Sequence, residues 1–226
     1  MSVQAKRRAD YQPPAFSIAT VDLHITLHPT QTKVISTLSV TRNGAHDSPL
    51  VLDGDNLSLD SISINGTHLS DNEYTVTDSA LSVVTELDEF VIEITNTIAP
   101  EHNKALEGLY LSGGAYCTQC EAEGFRRITY FMDRPDVLSV YTVTVVADKS
   151  VPMLLANGNP VDKGEVDEST HFVKWHDPHP KPCYLFALVA GDFDLLTDSY
   201  TTTSGKEVAL ELYVDKGRKS QGIFAL

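Results

Sequence analysis

Alternating apolar and polar positions are the dominant pattern in this chain. Between residues 18 and 40, apolar side chains recur at alternate positions over two runs, which Pro29-Thr30-Gln31 separates. Alternation with a period of two is typical of a half-buried strand, and two such runs joined by a short break predict a hairpin. The same period returns at residues 57–64, 74–76, 81–83 and 90–94, next to the turn-forming pairs Asp53-Gly54, Asn65-Gly66 and Asp78-Ser79.

Regularly spaced short strands of this kind indicate an all-β fold, and specifically a β-sandwich. Before residue 200 no ten-residue stretch has a convincing helical period, so the sequence offers no helices for an α/β fold. Further strands are predicted at residues 138–147, 171–175 and 183–190. The unbroken apolar run of the last one predicts burial on both of its faces.

A domain boundary is predicted at Gly191-Asp192. After it the chain restarts with a Thr-rich turn and a strand at residues 207–215, and these roughly 35 residues are too few to form a domain of their own. Residues 216–226 show neither a helix nor a strand that would complete a core. We therefore expect a first domain over residues 1–193 and, over residues 194–226, the beginning of a second one that is cut off before its end.

Composition narrows the choice of partners. The 226 residues contain 17 Lys and Arg against 31 Asp and Glu, a net charge of −14 that repels polyphosphates, so nucleic acid is not an expected partner. With 42% hydrophobic residues the chain is globular rather than disordered. Its longest apolar run, residues 184–190, is far shorter than a membrane-spanning helix, so no membrane partner is expected either.

The N-terminal segment and the cysteine count predict a cytoplasmic protein. Basic residues 6–8 are followed by Asp10 and a proline pair, where a secretory signal needs an apolar stretch. The three cysteines, Cys117, Cys120 and Cys183, are too few and odd in number for the disulfide framework of a secreted protein.

Two groups of residues have spacings that a metal site could use. His24 and His28 are four residues apart, as in helical zinc sites, but the alternation around them predicts a strand with both imidazoles on its polar side. The segment 176–179, His-Asp-Pro-His, offers further ligands together with Cys183, but its prolines predict a stiff extended loop. We expect no metal ligand in either group.

Cys117 and Cys120 form a Cys-x-x-Cys pair, the spacing of a redox dithiol or of half a zinc knuckle. The sequence has no second such pair to complete four ligands, and no βαβ pattern that would place either cysteine at a helix N-terminus. The interpretation we favour is two reduced structural thiols. A redox role stays open until the thiols are titrated.

The segment around this pair, residues 117–137, reads CTQCEAEGFRRITYFMDRPDV and is dense in polar and ionisable side chains. One interpretation is a solvated loop with local ion pairs, each contributing only about 0–1 kcal/mol. The other is a recognition loop mounted on a rigid sandwich. Spacing alone does not decide between the two.

The same segment resembles the bacterial aminopeptidase N family, the alanyl aminopeptidase group of zinc exopeptidases. Further motifs that carry the resemblance are ALEGLY at residues 105–110, LANGNPV at 155–161, KPCYLFALVAGDFD at 181–194 and EVALELYVD at 207–215. The resemblance covers essentially residues 10–217, and the block from QCEAE to DRPDV is highly specific. The resemblance implies a β-sandwich or saddle domain that leads, at about residue 193, into a thermolysin-like catalytic domain.

By the same resemblance, Gln119 and Glu121 are substrate-binding residues of an enzyme that releases N-terminal residues from peptides. In the family, the Gln and Glu of this motif reach from the N-terminal domain into the active site. A carboxylate recognises a free α-ammonium through a charge-assisted hydrogen bond that a blocked N-terminus cannot make. Gln119 would hold the backbone of the first residue or line its side-chain pocket.

The family's remaining motifs, GAMEN and HExxH with a downstream Glu, are absent from these 226 residues. They supply another amine-binding carboxylate, the zinc ligands and the general base, so we expect no catalytic residue and no hydrolysis from this chain alone. Zn²⁺ is expected in the full-length parent, with the missing catalytic domain and peptides with a free N-terminus as partners. The alternative is a stand-alone β-sandwich module that binds peptides or proteins without chemistry.

Overall fold

A long hairpin, predicted over residues 18–40, is formed by β1 (Phe16–Thr26) and β2 (Thr32–Arg42). The structure is a computed structural model, and it describes residues 7–225. The two strands pair antiparallel, with one irregularity between Ile18 and Thr20. Buried side chains alternate with exposed ones along most of β1, so the apolar positions of the sequence face one side of the sheet.

Short strands make up most of the remaining chain. They are β3 (Leu50–Asp53), β4 (Ser58–Ile64), β5 (Thr67–His68), β6 (Tyr74–Val76), β7 (Ala80–Val83), β8 (Glu89–Ile98), β9 (Gly108–Ser112), β10 (Ala115–Gln119), β11 (Ser139–Asp148), β12 (Met153–Ala156), β13 (Asn159–Glu165), β14 (Thr170–Lys181), β15 (Leu188–Gly191), β16 (Phe193–Thr201) and β17 (Glu207–Asp215). The helical segments are short. They are α1 (Lys219–Gly222) and the 3₁₀ turns Arg8–Asp10, Pro100–His102, Phe125–Arg127, Cys183–Leu185 and Ile223–Ala225.

Eight strands form one large mixed sheet in the order β13-β14-β11-β1-β2-β8-β4-β5. The smaller sheets have the orders β12-β15-β10-β9, β3-β7-β6 and β16-β17. In the large sheet β1 pairs parallel with β11, from Thr20 opposite Val140 to Thr26 opposite Val146, whereas its other strand pairs are antiparallel. These sheets confirm the all-β fold that the alternation predicts.

One hydrophobic core joins the large sheet to two of the smaller ones, β12-β15-β10-β9 and β3-β7-β6. It contains the buried faces of β1, β2, β8 and β11 and, from the smaller sheets, side chains such as Leu52 and Leu188. The segment 125–132 belongs to the same core, since the Phe125 ring packs edge-on against Tyr141 of the large sheet, with the ring centroids 6.1 Å apart. The chain is therefore anchored in the interior from Phe125 onward.

The strand predicted at residues 183–190 is wrong in its first half. Cys183–Leu185 is a 3₁₀ turn, and β15 begins only at Leu188. The Asn157 side chain explains the difference, because it accepts from the N–H of Ala187 at 2.6 Å and donates to the carbonyl of Leu185 at 3.1 Å. It thereby occupies backbone groups that a neighbouring strand would otherwise pair.

The end of the chain forms a separate β16-β17 hairpin. Where the sequence predicts no helix, the short helix α1 covers this hairpin, and the backbone of Gly222 packs against the side chains of Leu196, Leu212 and Val214. The boundary predicted at Gly191-Asp192 falls between β15 and β16, and it stays a prediction. Among residues 7–225, no helix is long and apolar enough to cross a membrane.

Candidate functional site

The two residues predicted to bind substrate, Gln119 and Glu121, lie where β10 leaves its sheet. Gln119 is the last residue of β10 and pairs with Gly108 of β9. Residues 119–124, which we call the site loop, then lead into the 3₁₀ turn Phe125–Arg127. Gln119 and Glu121 are both exposed, so the structure brings them together on one surface loop.

The carboxylate of Glu121 is a free anion on this loop. Within residues 7–225 no side chain pairs with it or donates a hydrogen bond to it. Gln119 contacts the same residue through its Nε2, which donates to the backbone oxygen of Glu121 at 3.1 Å. This bond uses one amide hydrogen and leaves the amide oxygen of Gln119 available as an acceptor. The site loop thus offers a carboxylate and an amide oxygen to a hydrogen-bond donor.

Two glycines allow the site loop to lie directly against β9. A Cβ atom on Gly124 would be 2.4 Å from the backbone oxygen of Gln119 and 2.9 Å from the backbone nitrogen of Gly108. Gly108 has a φ of +71°, and a Cβ there would be 2.6 Å from the Cβ of Arg127. Side chains at either position would separate the two backbones, so glycine is required for this close approach.

A buried carboxylate, that of Asp133, holds the chain just beyond the site loop. The Asp133 side chain is 1% exposed. Its Oδ2 accepts from the backbone N–H and from the Nε of Arg126, at 3.1 and 3.0 Å, and its Oδ1 accepts from the Sγ of Cys183 at 3.0 Å. The backbone N–H of Asp133 in turn donates to Oδ2 of Asp53 at 3.0 Å. Asp133 therefore links Arg126 to the end of β3.

Arg126 is the cation at the centre of this network. Besides Asp133 it pairs with Asp53 (Nη1 to Oδ1, 3.8 Å) and with Glu123 of the site loop (Nη2 to Oε2, 3.4 Å). Burial alone would lower the pKa of Arg126, but the hydrogen bond that its guanidinium donates to Asp133 and the charge of Asp53 outweigh burial and raise the pKa. The guanidinium is thus charged and joins the site loop to the buried carboxylate.

The segment 117–137 is neither wholly solvated nor wholly a recognition loop. A continuous stretch of it, residues 128–133, is buried together with Phe125. Its exposed residues are Gln119, Glu121, Ala122, Glu123 and Pro135. Many of its charges are therefore structural, and the surface that could recognise a ligand is concentrated in the site loop.

The three cysteines in and near the site loop are free thiols, and the pKa of each is raised. Burial, with the charge of Asp133 adding to it, raises the pKa of Cys120 to about 12. Burial also raises the pKa of Cys117, and burial and Asp133 together raise that of Cys183. A redox dithiol needs a lowered thiol pKa, so these directions support the structural interpretation of the Cys-x-x-Cys pair.

The histidines with metal-like spacing are not part of this loop. His24 and His28 are exposed, as the alternation predicts. The segment 176–179 lies within β14 rather than in a loop, and its Asp177 pairs with Lys181 at 2.7 Å. Among residues 7–225 no three His, Cys, Asp or Glu side chains converge as metal donors, so this part of the chain does not fit a zinc site.

The roles of Asp53 and Asp133 were not foreseen from the sequence. In the sequence, Asp53 belongs to the turn-forming pair Asp53-Gly54, and Asp133 is one of many charged residues in a polar segment. The signal that could have found Asp133 is its place directly after the apolar run ITYFM, residues 128–132. A carboxylate at the end of a buried run has to find a buried partner.

The sequence of this chain matches a known protein family. The family model described as the Peptidase M1 N-terminal domain matches residues 11–185, which include the site loop and Asp133. The chain therefore belongs to the peptidase M1 N-terminal domain family.

Among its relatives, the Aminopeptidase N of Caulobacter vibrioides is 54% identical over 223 residues, and that of Escherichia coli is 50% identical over 227. Each comparison covers 99% of this chain and 26% of the relative, so the chain spans about a quarter of the length of the proteins it matches.

Solved structures share the fold. The aminopeptidase A of Legionella pneumophila, crystallised in complex with aspartic acid, has a TM-score of 0.91 at 37% identity, covering 97% of this chain and 26% of that protein. An M1 zinc metallopeptidase of Deinococcus radiodurans, bound to a Tyr-Ser-Ala substrate, has a TM-score of 0.76 at 19% identity, covering 90% and 48%. The second likeness shows the fold alone.

Proposed function

We propose that this chain is the N-terminal part of a zinc aminopeptidase and that Glu121 and Gln119 bind the free α-amine of the peptide. The observation that carries the proposal is the exposed, unpaired carboxylate of Glu121, held on a loop with both ends anchored. The names of the relatives support the activity, and the match of residues 11–185 supports the family role of the loop.

The chemistry required is recognition of a positive charge at the end of a peptide. An α-ammonium donates to a carboxylate over about 2.7–2.9 Å, and such a charge-assisted bond is roughly twice as strong as a neutral one. An acylated N-terminus has neither the charge nor the spare donors, so it leaves the carboxylate without a partner. The amide oxygen of Gln119 can accept a second N–H of the same ammonium.

Zinc belongs to the proposed whole enzyme, not to the residues described here. The donor set of residues 7–225 does not fit a metal site, so the zinc would be held by residues outside this part of the chain. What these residues contribute is the wall against which the substrate's first residue is fixed. The hydrolytic machinery would lie in the remaining three-quarters of the protein.

The test is Glu121→Gln in the complete enzyme. We expect a higher KM and a loss of about 1.5–3 kcal/mol in kcat/KM, the range for a hydrogen bond to a charged group. The matched control is Glu123→Gln, which removes the same charge from the same loop but from a residue that is paired with Arg126. An unchanged kcat/KM for Glu121→Gln, or an equal loss in both variants, would remove Glu121 from the amine site.

A further inference from the structure

We propose that Asp133 is a positioning residue for the amine site: its buried carboxylate fixes the chain beyond the site loop and so sets where Glu121 points. This inference rests on the proposed function of Glu121. Asp133 touches no substrate itself, since its side chain is 1% exposed, and it acts through Arg126.

The anchoring bond is made to the backbone, not only to a side chain. Oδ2 of Asp133 accepts the N–H of Arg126 at 3.1 Å and its Nε at 3.0 Å, so the carboxylate holds the main chain and the guanidinium of the same residue. Oδ1 is occupied by the thiol of Cys183 at 3.0 Å. A carboxylate with both oxygens engaged and little solvent has one orientation, and the Arg126 amide is held with it.

The anchor has its own fixed support. The N–H of Asp133 donates to the carboxylate of Asp53, and the backbones of Asp53 and Phe131 exchange hydrogen bonds in both directions, at 2.7 and 3.0 Å. Asp53 ends β3, whose Leu50 and Leu52 are fully buried. The position of Arg126 is therefore fixed relative to the hydrophobic core through Asp133 and Asp53. This support is separate from the pairing of β10 with β9.

Glu121 lies on the short span between these two supports. Its N-terminal side is fixed at Gln119 by pairing with Gly108, and its C-terminal side is fixed at Arg126, only five positions further on. So short a span transmits a shift at either end to the residues between. Binding geometry has to be held within about 0.5 Å, so a loosened anchor costs affinity for the amine without touching it.

The experiment is a double-mutant cycle of Asp133→Asn and Glu121→Gln in the complete enzyme, with an aminoacyl substrate. Asp133→Asn is expected to raise KM about fivefold and to change kcat by less than about twofold. In the Glu121→Gln background, Asp133→Asn is expected to change KM by less than about twofold, because the carboxylate that it positions is already gone.

The matched control is Asp167→Asn, which alters a carboxylate that also accepts two backbone N–H groups, those of Ser169 and Thr170 in the β13-β14 turn. It should leave KM unchanged. Equal effects of Asp133→Asn with and without Glu121 would mean general destabilisation and would overturn the positioning role. So would an unchanged KM in the single Asp133 variant.

The cycle distinguishes failure of the proposed function from failure of the role of Asp133. If Glu121→Gln alone leaves KM unchanged, the proposed function itself fails. If Glu121→Gln raises KM but the effects of the two substitutions on KM are additive, only the role of Asp133 is overturned. If Asp133→Asn does not fold, Asp53→Ala takes its place in the cycle, because it removes the carboxylate that accepts the backbone N–H of Asp133 and so loosens the anchor itself. The same non-additivity is then expected, and additivity again overturns the inference.

Discussion

At the scale of single residues, two carboxylates a short distance apart in sequence have opposite environments. Glu121 is exposed and unpaired within the described chain, whereas Asp133 is buried and accepts three hydrogen bonds. The free carboxylate can take up a cationic ligand at little cost, and the buried one cannot change partners. The same functional group is thus open to a ligand in one place and fixed within the fold in the other.

Cys120 provides a titratable probe of this interior. Its pKa is raised from an ordinary value of 9.0 to about 12, so between these values the unfolded chain releases the thiol proton and the folded chain keeps it. Stability from this group is present below pH 9.0 and is lost as the pH rises toward 12, by up to about 1.4 kcal/mol per pH unit.

We therefore expect the free energy of unfolding to fall less steeply with pH in Cys120→Ala than in the parent chain. Urea unfolding at about pH 9 and about pH 10 measures the two slopes. Tyrosines titrate in the same range, but they contribute to both proteins and cancel in the comparison. Identical slopes would mean that the Cys120 thiol ionises as readily in the folded protein as in the unfolded one.

At the scale of elements, the site loop depends on its contact with β9. Gly124→Ala would place a Cβ 2.4 Å from the backbone oxygen of Gln119, which cannot rotate away. We expect a destabilisation of about 1–3 kcal/mol, measured by urea unfolding, because overpacking against the backbone forces the loop to shift. The control is Gly164→Ala, whose Cβ would meet only the edge of the Phe172 ring at 3.1 Å and should cost less.

Elements differ in how far the sequence predicts them. The β1-β2 hairpin follows from alternation because one face of each strand is buried and the other is solvated. The 3₁₀ turn Cys183–Leu185 does not, because its apolar letters are those of a strand and the deciding contact comes from Asn157, far away in sequence.

In the candidate site, too, some residues can be predicted from the sequence and others cannot. A motif points to Gln119 and Glu121, and both are exposed on one loop, while their role in binding substrate stays a prediction. The support behind them was not found, because Asp133 meets Asp53 and Cys183 only after the chain has folded. Sequence spacing carries no information on pairs that tertiary contacts bring together.

At the scale of the whole molecule, the described residues form a β scaffold that carries the site loop, and no three His, Cys, Asp or Glu side chains among them converge as metal donors. We expect the 226-residue chain alone to show no hydrolysis of aminoacyl anilides, with or without added zinc, because the described donor set does not hold the metal. Turnover that survives purification and disappears with a chelator would contradict this.

The parallel pair of β1 and β11 has a consequence for biosynthesis. β1 finds its neighbour about 120 residues later in the chain, so the nascent hairpin carries one row of unsatisfied amides and carbonyls while that stretch is translated. At typical elongation rates this interval is on the order of ten seconds. During this interval the unpaired edge of β1 can form backbone hydrogen bonds with a strand of a neighbouring chain. It is protected only once β11 has been synthesised and has paired with it.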